Sequence, residues 1–447
     1  MMEKQVNVSI IMPSLNVAPY IKECLQSALE QTMQEIEIIC IDAHSTDGTY
    51  EILKEYADEP KYKGKIRLLQ SDIKSYGYQV NLGIREAKGK YIAILETDDF
   101  VAKEMYGDLY RLAEENQVDF VKADHDTFFE LQNGERLYWN VPLWSKEKNY
   151  YNKILDARTM TYLYTHDFNI WKGIYNREFL LQNEIWCNES KGAAFQDLGF
   201  GLQVLATAKN AYYTDNSYYR YRSGRDESSV NSINGLKYAY QEFQRLLNEP
   251  NLCRKVSFKK GLYLRMAYAI WGEYSKVLYM TAYDRMSENV KPYYEWFRKE
   301  LLLALEKGII EWDEVDEFFR KDLEDIIYQP DVYVKELKKK RENELAFYAP
   351  FDNKNIYVFG AGKKGKWLIQ TLFMRGYWPV LVCDNDERLW GGTISTIHIL
   401  SPEECAALYK KDLSEKIFVI ANKNYSKDME RQLLSYGISQ EDIINCS

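Results

Sequence analysis

The sequence is sparing with residues that interrupt or staple a chain. Ten prolines and 23 glycines among 447 residues are too few for a fibrous or low-complexity protein, and 46% hydrophobic with 28% charged residues is a globular composition. The seven cysteines (24, 40, 187, 253, 383, 405 and 446) form no CxxC pair, and no His spacing completes a zinc site, so reduced thiols are expected. Positive charge is in deficit, 58 Lys and Arg against 67 Asp and Glu for a net −9. Such a chain gains nothing from counterion release, which argues against a nucleic-acid partner. No run of 18 apolar residues occurs and no charged leader precedes an apolar stretch. The expected location is cytoplasmic, at most peripheral at the inner face of a membrane.

Aromatic residues are abundant, 15% of the chain with 37 Tyr, and serve either for stacking on sugars and bases or for packing between helices. The length calls for two or three domains. From residue 6, short β-rich runs (VNVSIIMPS, IEIICID, KIRLLQ, YIAIL, DFVKAD) alternate with helical stretches near 18–32, 47–57, 78–87 and 103–116, the signature of a parallel α/β sheet. A hairpin is expected at Asn133-Gly134. Residues from about 231 become helical and rich in Tyr, Trp, Leu, Lys and Glu, and strand–helix alternation restarts after Pro350. The expected organisation is an α/β domain over 1–230, a helical connecting domain over 231–350 and a small α/β domain over 351–447.

Ligands of parallel sheets sit beyond the carboxyl ends of the strands. There the first strand ends in Pro13, Ser14 and Asn16. The second ends in Asp42, followed by Ser45, Thr46 and Asp47 that can cap the next helix; Asp42 either reads a ligand or caps a turn. The fourth ends in Glu96-Thr97-Asp98-Asp99. Acids this close repel, so they either share a hard divalent cation with a diphosphate or form a solvated loop.

In order, VSIIMPSLNVAPYI, CIDAHSTDGT and YGYQVNLGIREAKGKYIAILETDD resemble the family 2 glycosyltransferases of the GT-A, nucleotide-diphospho-sugar transferase fold. The resemblance covers about 6–230. It implies inverting transfer of a sugar from a nucleotide-diphospho-sugar to a hydroxyl, with Mn or Mg. The acceptor would be a glycan or a lipid-linked or protein-linked sugar, in bacterial surface polysaccharide assembly. It assigns Pro13, Ser14, Asn16, Asp42, Asn81 and Thr97 to the donor, with Asp42 reading the base, and Asp98, Glu96 and Asp99 to the metal. A UDP-sugar is favoured, since an acid at Asp42 accepts the uracil N–H, as it would that of thymine; a guanosine nucleotide stays open. The chain departs from the family at Ala43 and His44, where Asp and Gly are usual, and at Val80, where Arg is usual. Asp197 of Gln196-Asp197 corresponds to the catalytic base, or is a helix cap; one of Arg220, Arg222 and Arg225, beside Ser228, corresponds to a leaving-group contact on a mobile loop. Trp171 is either a sugar-stacking wall or core, and His166 either faces the acceptor or is structural.

The basic run Lys335, Lys338, Lys339, Lys340 and Arg341 either docks on anionic lipid or is a solvated helix face. A homo-oligomer through the helical middle is a further expectation. In the last domain, Gly360, Gly362 and Gly365 follow a strand and open a helix, and Asp384 ends the next strand, a candidate mononucleotide site. This segment resembles the Rossmann-like domains attached to bacterial sugar-modifying enzymes, and either binds a nucleotide or serves in packing, oligomerisation or docking. Two alternatives follow from it: a nucleotide-dependent oxidoreductase or epimerase, or a non-catalytic nucleotide-sugar-binding scaffold.

Overall fold

The computed structural model describes residues 5–130, 134–144, 150–224, 232–394 and 397–446; Asn133, Arg225 and Ser228 lie outside them. The chain divides into two compact units, Met1–Phe128 with Trp139–Lys335, and Phe129–Tyr138 with Glu336–Ser447.

The first unit opens with strict alternation: β1 (Val8–Ser14), α1 (Ala18–Leu29), β2 (Ile36–Asp42), α2 (Thr49–Asp58), β3 (Ile66–Gln70), α3 (Tyr76–Glu86) and β4 (Tyr91–Ile94). Every residue of β1, β2 and β4 is buried, as expected of parallel strands covered on both faces. Helix α1 buries Ile21, Cys24, Leu25, Ala28 and Leu29, a stripe at three- and four-residue spacing. There follow β5 (Phe100–Val101), α4 (Met105–Asn116), β6 (Phe120–Glu130), β7 (Arg136–Val141), β8 (Ile154–Leu155), α5 (Thr161–His166), β9 (Gly173–Asn176), α6 (Arg177–Gln182), α7 (Gln196–Thr207) and β10 (Ala211–Arg222). The sheet runs β3-β2-β1-β4-β9-β6-β10-β5. Its first four strands are parallel and β9 is antiparallel to both neighbours.

The helices α8 (Gly235–Leu247), α9 (Pro250–Cys253), α10 (Val256–Met280), α11 (Lys291–Glu306) and α12 (Glu317–Tyr328) belong to the first unit, whereas the sequence suggests a separate connecting domain. Helix α10 explains the difference. It buries Phe258, Leu262, Met266, Ile270, Tyr274 and Val277 among others, apolar around most of its circumference, and packs on α5, α7, α8, α11 and α12. A helix apolar on most sides is a core element.

Helix α13 (Pro330–Tyr348) leads to the second unit, with β11 (Asn355–Phe359), α14 (Lys363–Met374), β12 (Pro379–Cys383), β13 (Thr393–Ile394), β14 (Ile397–Leu400), α15 (Pro402–Lys411), β15 (Lys416–Ile420), α16 (Ser426–Ser435) and β16 (Ile443–Asn445). Its sheet runs β13-β14-β12-β11-β15-β16. Residues 129–138 are part of this unit, and Leu137 is buried in one core cluster with Tyr348, Phe351, Leu368 and Val419. Among the described residues, no helix is long and apolar enough to cross a membrane.

Candidate active site

Parallel register sets Ser14 beside Asp42 and Asp42 beside Gln70 at one sheet edge. The Ser14 carbonyl accepts from the Ala43 N–H at 3.0 Å and from Gln79 Nε2 at 3.0 Å, and the Pro13 carbonyl accepts from Thr97 Oγ1 at 2.8 Å. Asn16 bridges the two loops: its N–H donates to Ser45 Oγ at 2.9 Å and its Oδ1 accepts from the Thr46 N–H at 2.8 Å. Asp42 Oδ2 accepts from the Ser45 N–H at 3.0 Å, and the residue is fully buried. Asn81 is also buried, its amide exchanging 2.9 Å hydrogen bonds with the backbone of Cys187 while also reaching Glu189. It ties α3 to the segment before α7.

Beyond β4, the Leu95 N–H donates to the Ile11 carbonyl, which carries Glu96 to the same edge. The Tyr76 hydroxyl donates to Glu96 Oε1 at 2.5 Å. Burial pushes the Glu96 pKa up to about 7, with Tyr76 opposing and Asp197 adding to the rise. Asp99 is turned inward: Oδ2 accepts from the Tyr219 hydroxyl at 2.8 Å and Oδ1 from the Arg222 N–H at 2.7 Å. Burial still drives its pKa up to about 8. The Asp98 carbonyl accepts from Arg222 Nε at 2.9 Å.

Asp197 lies in the first turn of α7 and is half-buried. Burial raises its pKa; the largest opposing influence is Arg265 of α10, followed by the N–H groups of Asp197 and Leu198. Its charge is felt by Glu96 and Tyr76, so the fold gathers acids that are distant in sequence. Neighbouring Gln196 holds this in place. Its Oε1 accepts from the Gly77 N–H at 2.8 Å while Nε2 donates to the Ser190 carbonyl and, at 2.9 Å, to Ser190 Oγ.

The arginines are built into the wall. Arg220 and Arg222 belong to strand β10, where a loop is suggested by the sequence. Arg220 pairs with Asp126 at 3.1 Å. Arg222, 8% exposed, pairs with Glu23 at 2.8 Å and lies over Tyr20 and Phe128. Trp171 is buried, stacked on Tyr219 at 4.1 Å and Tyr221 at 5.4 Å. His166 is stacked on Tyr162 at 3.7 Å and lies 3.5 Å from Asp316. Tyr76, Tyr219 and Arg265 escape the sequence reading, which names Gln196 only as the partner of Asp197 in its pair.

Among the described residues, no group of three or more His, Cys, Asp or Glu side chains converges as a cation cage. The hard carboxylate oxygens of Glu96 and Asp98 fit a different mode, in which Mg or Mn is held by one or two carboxylates and completed by substrate phosphates. In the second unit, Asp384 Oδ2 accepts from the Ala361 N–H at 2.6 Å, within the glycine loop, and Oδ1 from the Asp386 N–H at 2.9 Å. Gly365 packs against the Gly360 carbonyl, which a Cβ would overlap, whereas Gly362 faces open space.

Residues 9–178 match the profile of Glycosyl transferase family 2. The chain is 30% identical over 237 residues to the uncharacterized glycosyltransferase EpsJ of Bacillus subtilis, covering 52% of this chain and 64% of EpsJ. It is 30% identical over 223 residues to glycosyltransferase GlyG of Streptococcus pneumoniae, covering 48% of this chain and 71% of GlyG. The crystal structure of S. aureus TarS 1-349 in complex with UDP-GlcNAc shares the fold, with a TM-score of 0.54 at 17% identity over 76% of this chain and 92% of that one. The chain belongs to glycosyl transferase family 2, and its first unit has the GT-A fold. It spans just under two thirds of the length of EpsJ.

Proposed function

We propose that the protein transfers a sugar from a nucleotide-diphospho-sugar, a UDP-sugar first, to a hydroxyl of a glycan or glycoconjugate, with inversion, in bacterial surface polysaccharide assembly. The observation that carries this reading is that the start of α3 holds both stretches of chain, Tyr76 bonding Glu96 at the acidic end of β4 at 2.5 Å and Gly77 bonding Gln196, the neighbour of Asp197, at 2.8 Å.

Inversion by direct displacement requires a carboxylate to take the proton of the attacking hydroxyl. Asp197 has that role, and Arg265 favours its ionised form. Glu96 and Asp98 would hold Mn or Mg, which when bound neutralises charge on the departing diphosphate. Tyr76 orients Glu96 by its hydrogen bond. Asp99 fastens β10 to this loop through Tyr219 and Arg222, which supports a role in holding the site rather than in holding the metal.

The test is Asp197→Asn, which keeps the shape and removes the base. Nucleotide release from a panel of UDP-sugars with Mn or Mg and a panel of glycan acceptors should fall by about 10²–10⁴-fold, with UDP affinity within twofold of wild type by titration calorimetry. Wild-type turnover in the variant would remove Asp197 as the base. No nucleotide release by the wild type from any donor with either metal would overturn the transferase reading.

A further inference from the structure

The turn after β2 contains an arrangement that sugar transfer alone leaves unexplained. Asp42 is fully buried, and its carboxylate is spent inside its own turn, on the Ser45 N–H at 3.0 Å and the Ser45 hydroxyl at 2.5 Å. A side chain with no exposed surface has no face to offer a nucleobase. Two residues on, His44 is exposed and adopts a φ of 57°. This left-handed backbone is unfavourable for a non-glycine residue and collects at ligand sites.

Nε2 of the His44 ring lies 2.8 Å from Asp72 Oδ1. A carboxylate only accepts, so in the neutral ring Nε2 carries the proton and Nδ1 remains an acceptor. Among the described residues, Gln70 Nε2 approaches Nδ1 at 3.5 Å, the outer limit of a hydrogen bond. Gln70 is exposed, ends β3 and stands beside Asp42 in register. The rim of the sheet thus presents a ring-nitrogen acceptor next to a carboxamide that both donates and accepts.

This pattern complements an imide edge, an N–H flanked by two carbonyls, which uracil and thymine have. Cytosine carries an amine where uracil has the O4 carbonyl, and its ring nitrogen has no proton to give. We propose that His44 Nδ1, with Gln70 beside it and Asp72 holding the ring, reads the imide edge of a uracil or thymine nucleotide, while Asp42 shapes the turn that carries His44. The inference rests on the nucleotide-sugar reading of the first unit and moves base recognition from Asp42 to His44.

The experiment is titration calorimetry of UDP and of CDP, each with Mn, on the full chain as wild type and as His44→Gly. Melting curves are recorded for both proteins. Glycine suits the left-handed backbone, so the fold should survive. The wild type should prefer UDP over CDP. The variant should bind UDP about tenfold more weakly, the loss of one net hydrogen bond, with CDP affinity unchanged. Asp72→Ala, a change at a fully exposed side chain, gives a second route: freeing the ring should erode the UDP preference without altering the melting curve. Wild-type UDP affinity and preference in His44→Gly would overturn the assignment and leave the transferase reading standing. Failure of the wild type to bind either nucleotide would overturn both.

Discussion

Arg265 acts on the proposed base from a helix that the sequence gives no reason to associate with it. Its guanidinium donates to the Thr165 carbonyl at 3.3 Å and lies over Phe168 and Tyr268, and burial lowers its pKa to about 10. It is the main influence holding the Asp197 pKa down against burial. A base works only when ionised, so turnover should rise with pH through the Asp197 pKa. Replacing Arg265 with Gln removes the opposing cation and raises that pKa further. The acid limb of the kcat profile should therefore move to higher pH, with the plateau recovered in alkaline buffer; an unmoved limb would contradict the coupling. At this scale Glu96 and Asp98 stand out in the sequence because acids crowded at a strand end have few structural uses, whereas Asp197 is legible only through the resemblance of Gln196-Asp197 to the acidic pair of the family. Tyr76, Tyr219 and Arg265 do not, since Tyr and Arg are equally at home in a core. The inward turn of Asp99 depends on β10, which lies more than a hundred residues downstream.

The N-terminus of α3 and the segment leading to α7 behave as one structural element. Ser75 caps α3 by accepting from the Tyr78 N–H. The Tyr76 N–H donates to the Gly192 carbonyl, the Gly192 N–H to the Lys74 carbonyl, and Gln196 reaches Gly77. The approach is so close that a Cβ on Gly77 would overlap the Asn188 carbonyl. Gly77→Ala should therefore push the segment away and destabilise the fold by about 1–3 kcal/mol, read from the urea midpoint. Turnover should fall as well, because Asp197 is held through Gln196. A variant with wild-type stability would show that this contact relaxes freely. The β–α alternation of 8–94 is legible in the sequence because continuous apolar runs, buried on both faces as strands, alternate with helical stretches. Strand β10 is less so: its run of Tyr and Arg resembles a mobile loop, and it becomes a strand by pairing with β6 through two register shifts.

For the whole molecule, the second unit is assembled from two stretches far apart in sequence. Leu137 is 1% exposed in its core, beside residues of α13 and α14. Leu137→Ala should destabilise this unit by about 2–5 kcal/mol. Hydrogen exchange should accelerate at the amides of β11 and α14, while protection across β1–β4 is retained. Equal acceleration in both units would show that they unfold together. The glycine loop and Asp384 are legible as a Rossmann-like start because that spacing is local. The contribution of Leu137 is not, since nothing in its local sequence names the core it completes.

Residues 129–138 also leave the ribosome long before 336–447. At synthesis rates of about 5–20 residues per second, the interval is roughly ten to forty seconds. During that time Leu137 has no core to enter, and the nascent chain must keep it from other apolar partners. The tempo of translation thus becomes a variable in how cleanly this protein matures.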